Sequence, residues 1–334
     1  MPKKIANRNP WNLKKLMLEE INQNGGFVNC HAHSDKAYFI TREGLEKSMV
    51  SMEEKWRMSD GIKRDSTVED IKTRIRRALD FLIEQGCKST CTFVDAYDVV
   101  GHKAIDAAIA VKKEYAKKIK MLIITQPLGG LVDEKALKLY EEITAKADIA
   151  GGLPSKDRQM GPDGDIKHLD NLFKIAKKQN KPVHVHIDQE NNPNERDTEK
   201  LLDAVERHGY QGRTVVIHVL SVSAQPKDYR AKIYKRMKEL GVAVVTCPSA
   251  GLGMRQLDQF QAPVHNSIAN VPEMLEAGVL VGLGVDNIAD FYEPFVNGDM
   301  WIELRLLQEA CRYYNLDELV KIASVNGAKI LAYK

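Results

Sequence analysis

The feature that most constrains this chain is an alternation: eight short, apolar, β-prone runs, each followed by a helical segment. The runs open at residue 27 and recur at 89–95, 121–127, 149–153, 182–189, 214–219, 242–248 and 279–286. Between them lie segments of helical period at 68–84, 103–117, 133–146, 166–179, 195–207, 227–239 and 271–276, several closed by a glycine such as Gly86, Gly209 or Gly241. Strands that alternate with helices form a parallel sheet whose faces the helices cover. A count of eight favours closure into a (β/α)8 TIM barrel over an open doubly wound sheet. No Gly-x-Gly-x-x-Gly opens a helix after any run, which argues further against a dinucleotide-binding sheet. A length of 334 residues with 43% hydrophobic content suits one such barrel.

The expected domain organisation is an N-terminal helical arm over 1–26 and a barrel catalytic domain over 27–334. Trp11, Leu13, Leu16, Met17, Leu18 and Ile21 recur at roughly helical spacing in the arm, and Gly25-Gly26 ends it. Its apolar residues need a surface, on the barrel or on another subunit, so a homo-oligomer is possible. A polar connection spans 41–64, and Ser249-Ala250-Gly251-Leu252-Gly253-Met254 reads as a simple loop. The formal net charge of +3 recommends neither nucleic acid nor an anionic membrane as partner, leaving a small-molecule substrate. Five cysteines without Cys-x-x-Cys spacing form neither a disulfide framework nor a zinc knuckle. With no signal-peptide core and no long apolar run, the expected location is cytoplasmic.

The chemistry is concentrated at the strand ends. In a (β/α)8 barrel their C-terminal ends converge on one mouth. The first run delivers His31 and His33, the fifth His186, the sixth His218 and the eighth Asp286. On a strand, positions i and i+2 share a face, which would aim His31 and His33 into one space. Three neutral imidazoles, a carboxylate and a water suit one divalent ion, zinc or iron(II). Asp286 would ligate and also take the water's proton, with His218 beside the metal to polarise an oxygen or hold the water. His184, deeper on the face of His186, is expected to be buried and hydrogen-bonded. His102, His168 and His208 fall on helices or helix ends and read as surface residues.

This arrangement resembles the amidohydrolase superfamily, and within it the cytosine deaminase branch with the related triazine aminohydrolases. The resemblance rests on His31-Ala32-His33-Ser34-Asp35, Gln126, His186-Ile187-Asp188-Gln189, His218, the stretch from Val271 to Gly278, and Asp286-Asn287 followed by Tyr292-Glu293-Pro294. The Asp35-Lys36 pair looks more like the triazine enzymes. The resemblance implies His31, His33, His186 and Asp286 as metal ligands, His218 as assistant to the water and Gln126 as reader of a ring edge. Asp188 and Asn287 are further candidate substrate contacts. No lysine ends the fourth run, Lys156 lying a few residues beyond, so one ion is expected rather than a bridged pair. The small β-sandwich that commonly accompanies the family's barrel is not expected.

Two positions depart from the family pattern. The proton-carrying glutamate three residues after the fifth-strand histidine is here Gln189, and the acid that often follows the metal-binding aspartate is here Asn287. An amide has no proton to shuttle near neutral pH, and losing such help costs on the order of 10²–10⁴ in rate. Three explanations stand open: Glu190 swings in, Asp286 carries the proton alone, or the fold keeps a metal and has lost the reaction. The expected function is hydrolysis of a C–N bond in a small nitrogen heterocycle by metal-activated water. The alternatives are hydrolysis of a cyclic or linear amide, a catalytically silent binding protein, and a non-metal barrel using His218 as general base.

Overall fold

A computed structural model of the chain describes residues 12–50, 52–254, 256–261 and 267–334. Trp11 and the residues before it lie outside that range. Eight parallel strands form the centre: β1 (Phe27–Asn29), β2 (Cys87–Asp95), β3 (Lys120–Gln126), β4 (Ala150–Gly152), β5 (Val183–Ile187), β6 (Thr214–His218), β7 (Ala243–Thr246) and β8 (Val281–Leu283). They pair in chain order as two ladders, β1-β2-β3 and β4 through β8. Single-residue bridges, Ile124 with Ile149 and Ala32 with Asp286, join the ladders at both seams and close the ring. The chain is therefore a (β/α)8 barrel, as the alternation predicts.

Two apolar layers hold it. Inside the ring, alternate strand residues stack: Val28 and Cys30, Cys91 and Phe93, Ile124, Val215 and Ile217, Val245 and Cys247. The opposite parity faces the helices, as with Val183, Val185 and Ile187 on β5. The helix Val68–Glu84 shows how the outer layer is made. It starts at a capping box in which Thr67 and Asp70 satisfy each other's backbone N–H, and it buries Ile71, Ile75, Ala78, Leu79 and Leu82 at helical spacing. The four free cysteines of the barrel strands and strand ends are buried, and Cys311 is half-buried.

The helix Leu13–Gln23 buries Met17 and Ile21 in this outer layer, with Leu13 and Leu18 packed against it. Two segments fold more than their composition suggested. The polar connection contains helices Arg42–Lys47 and Met52–Asp65, and the glycine-rich piece is a short helix, Pro248–Gly253, rather than a loop. A proline at the first helical position of the latter presets its backbone, and its two glycines, Gly251 and the terminal Gly253, do not stop it. Among the described residues, no helix is long and apolar enough to cross a membrane.

Candidate active site

The C-terminal ends of the strands gather His31, His33, His186 and Asp286, whose ligand atoms all lie within 4.8 Å of one another. Alternation alone does not achieve this. Val28 and Cys30 face the barrel interior, so a continuing strand would throw His31 and His33 outward. Instead β1 ends at Asn29, whose Oδ1 accepts from the backbone N–H of both His31 (3.4 Å) and Val285 (3.1 Å). The irregular stretch beyond brings both rings inward. The same break operates at β6: Ile217 faces in, and His218 reaches the mouth because its backbone turns through φ 80°, followed by Val219 at 59°. A β-branched residue in the left-handed region is strained by about 1–3 kcal/mol, a strain the packed surroundings hold in place.

The geometry suits a cation. His31 Nε2 and His33 Nε2 lie 3.1 and 3.2 Å from Asp286 Oδ1, and His33 Nε2 faces His186 Nε2 at 3.2 Å. Ligand atoms about 2.0–2.1 Å from a common ion stand roughly 2.8–3.4 Å apart in octahedral or tetrahedral geometry. Two ring nitrogens turned toward each other share at most one proton, so their lone pairs call for a shared electrophile. Burial presses His33 down to about 3, His218 to about 4 and His186 well below its usual value. Burial works the other way on Asp286, but the charges and hydrogen bonds of His31, His33 and His218 outweigh it and hold that carboxyl well below the carboxylate range. Imidazoles whose protonation burial disfavours, such as His33 and His186, beside a carboxyl that favours its ionised form are the donor set a divalent metal requires.

A cavity of about 620 Å³, counting its open mouth, lies over this cluster. Gln126, Gln189, His218, Asp286 and Asn287 line it, as sequence reasoning expects of mouth residues. Gln126 Oε1 is buried with no hydrogen-bond partner among the described residues, and Asn287 Nδ2 donates to Asp286 Oδ1 at 3.1 Å. His218 Nε2 stands 3.5 Å from Asp286 Oδ2. Two expected site residues are placed elsewhere. Asp188 lines an adjoining chamber, where its Oδ2 accepts from the Thr198 hydroxyl and backbone N–H and so anchors the helix Asp197–His208. Glu190 lines that chamber too, whose wall His186 and Gln189 share, and is not among the residues lining the cavity over the cluster.

Two histidines correct the sequence reading. His168 is fully buried, not superficial: Nδ1 meets Asp157 Oδ2 at 2.7 Å, and Nε2 accepts from the Leu153 N–H at 3.0 Å. Asp157 Oδ2 also accepts from the Leu131 N–H at 2.6 Å, tying the segment after β3 to the segment after β4. His184 is buried as expected, but neither ring nitrogen has a hydrogen-bond partner among the described residues.

Sequence reasoning gave no role to several further groups in the cavity wall, among them Lys36, Trp56, Tyr292 and Glu293. Lys36 is positioned by Asp95 at the end of β2, 3.5 Å away, and Asp95 also pairs with Lys63 at 2.8 Å. Burial raises the Asp95 carboxyl, but these two ammonium groups prevail and hold it at about 2. Trp56, on the helix Met52–Asp65, has Lys156 Nζ 4.0 Å from its ring centroid. Lys36 and Glu293 were visible inside quoted motifs; Trp56 lay in the connection that carried no chemical signal.

Comparison with known proteins places this architecture. The model of the amidohydrolase family matches residues 25–334. An uncharacterized protein of Haemophilus influenzae is 33% identical over 264 residues, covering 78% of this chain and 95% of that protein. The N-isopropylammelide isopropyl amidohydrolase of Pseudomonas sp. strain ADP is 28% identical over 315 residues, covering 92% of this chain and 74% of that one. Among solved structures, the 5-methylcytosine deaminase of Klebsiella pneumoniae liganded with 5-fluorocytosine superposes with a TM-score of 0.83 at 24% identity, covering 91% and 74% of the two chains.

Proposed function

The chain belongs to the amidohydrolase family, and from that premise we propose that it hydrolyses a C–N bond of a small nitrogen heterocycle at one divalent ion, zinc or iron. His31, His33, His186 and Asp286 would hold the ion. The observation that carries this reading is the convergence of these four donors, all buried, beneath a cavity open to solvent. When bound, such an ion supplies a Lewis acid and lowers the pKa of a coordinated water toward neutrality. His218, pressed neutral beside Asp286, orients the water and accepts a hydrogen bond from it. Asp286 takes the water's proton, and Asn287, donating to Oδ1, limits its rotation.

Gln126 supports the heterocycle as substrate. Its amide presents a donor and an acceptor, and the acceptor, without a partner among the described residues, is one that a ring N–H would satisfy. The relative that acts on N-isopropylammelide points to the same class. An amide substrate is the second reading, favoured by Gln189, which carries no proton for an aromatic amine. The test is metal analysis followed by turnover assays of the zinc- and iron-loaded protein on cytosine, 5-methylcytosine, ammelide, guanine and dihydroorotate. Release of ammonia from an aminoheterocycle is the expected result. Opening of dihydroorotate alone would transfer the assignment to cyclic amides, and inertness to all five would refute the hydrolase.

A further inference from the structure

The chemistry above leaves one proton without a carrier, because the residue where the family pattern has an acid is Gln189. We propose that Glu293 is that carrier, so that the carboxyl protonating the departing nitrogen enters the mouth from the segment after β8 rather than from the end of β5. The proposal rests on the hydrolase reading of the same site.

Three observations of placement support it. Glu293 lines the same cavity as Gln189, His218, Asp286 and Asn287, whereas Glu190 lines only the adjoining chamber. Its side chain is enclosed, the residue being 8% exposed, yet Oε2 has no hydrogen-bond partner among the described residues. An enclosed carboxyl oxygen without a partner is costly as an anion and is satisfied when it carries a proton toward a ligand. The turn that holds it is built: the backbone N–H groups of Tyr292 and Glu293 both donate to Asp290 Oδ1, at 2.8 and 3.1 Å.

The surroundings favour the acid form. Burial is the largest influence and raises the Glu293 carboxyl well above its ordinary range. Asp286 and Asp290 on the same segment and Glu303 on the helix Met300–Cys311 add to the rise, while Lys55 on the helix Met52–Asp65 opposes it. Removal from water does not depend on what the imidazole cluster holds, so this leading cause persists when Asp286 is neutralised by a cation.

The step balances as a hydrolysis. The water oxygen bonds to the ring carbon, and one water proton passes to Asp286. The C–N bonding pair goes to nitrogen, which receives the proton of Glu293 and departs as a neutral amine. The proton on Asp286 then returns to Glu293, and the protein ends as it began. Neither oxidant nor further reactant is needed.

The test uses the metal-loaded full chain and whichever aminoheterocycle of the panel above it turns over fastest. Glu293→Gln preserves shape and removes the proton. Its kcat is expected to fall about 10²–10⁴-fold with KM little changed. Adding Gln189→Glu to that variant should recover at least tenfold of the loss, because the acid is returned to the mouth from the other side. Infrared spectra at pH 7 should show a protonated-carboxyl band that Glu293→Gln abolishes. If Glu293→Gln folds poorly, Glu293→Asp, which withdraws the acid by one methylene, should still lose kcat selectively. A wild-type kcat in Glu293→Gln, no recovery in the double variant, or no band lost would each overturn the proposal while leaving the hydrolase standing. Inertness of the wild type to the whole panel overturns the hydrolase, and Glu293's role with it.

Discussion

Gly284 offers a way to disturb the candidate metal centre without touching a ligand. A Cβ placed on this residue would stand 2.6 Å from His31 Cβ, 3.0 Å from Cys247 Sγ and 3.1 Å from the His31 backbone nitrogen. Carbon atoms pack at about 3.5–4.0 Å, so Gly284→Ala requires His31 and β8 to separate by about 1 Å. Three backbone bonds cross this contact: Cys30 N–H to Leu283 O at 2.8 Å, and the N–H groups of Val285 and Asp286 to His31 O at 3.0 and 3.1 Å. The separation therefore moves two ligands apart, one on each side. Metal sites tolerate about 0.2 Å of misplacement, and disturbing what supports a ligand typically costs 10–100-fold in affinity. Overpacking of this kind costs roughly 1–3 kcal/mol. With an unfolding entropy of roughly 0.7 kcal/mol/K for a chain of 334 residues, the metal-free variant should melt about 1–4 °C lower. The assay is competition for zinc against a chromophoric chelator, paired with thermal melts of metal-free protein. Gly61→Ala serves as control, because a Cβ there meets nothing within 4 Å and replaces a helical glycine, which should leave affinity unchanged and stabilise by roughly 0.5–1 kcal/mol. Zinc affinity of Gly284→Ala within twofold of wild type would refute the reasoning.

Two further outcomes follow from the histidines that the sequence misread. His168→Ala strands the Asp157 carboxylate and the Leu153 N–H in the interior, so urea unfolding should show a loss of about 3–5 kcal/mol. KM should rise as well, because Leu153 in the cavity wall loses its tie; a loss under 1 kcal/mol would show that the pair is not needed. His184→Leu should flatten the acid side of the stability curve. Burial lowers His184 from 6.5 to about 3, so between those values the unfolded chain binds the extra proton, and stability present above pH 6.5 drains away as pH falls toward 3. The variant should lose less than wild type between pH 7.5 and pH 5 in urea titrations. Buried His33, His186 and His218 keep some slope, and an unchanged slope would show that His184 is not protonated on unfolding.

The scaffold was legible because its signal is repeated. Eight β-prone runs separated by helical periods leave few architectures open, and an error at one boundary, such as the glycine-rich piece that folds as the helix Pro248–Gly253, does not alter the count. The convergence of His31, His33, His186 and Asp286 was legible for a different reason: they stand where strands end. The argument that placed His31 and His33 was nevertheless incomplete, since both lie beyond β1 and turn inward through irregular backbone that alternation does not describe. Positive φ at His218 and Asp188 is likewise invisible to a period-two pattern, and it sends one side chain to the mouth and the other toward Thr198. His168 was misjudged because helical position says nothing of which face meets a buried carboxylate eleven residues earlier. Glu293 was passed over because a replacement for the acid was sought only in Glu190 beside Gln189 and in Asp286, whereas a barrel mouth draws from every strand.

The ring closes at Ala32 and Asp286 by a single bridge, where most of its strand pairs have a ladder of three or more residues. That junction stitches the first stave of the cylinder to the last, and it is where His31 and His33 on one stave confront Asp286 on the other, some 255 residues along the chain. An ion seated there would act as a rivet through the hoop, with part of its binding energy going into keeping the cylinder shut. One of the two single-bridge joints of the scaffold and the candidate metal centre are thus built on the same two short segments, so a change that shifts either segment disturbs both.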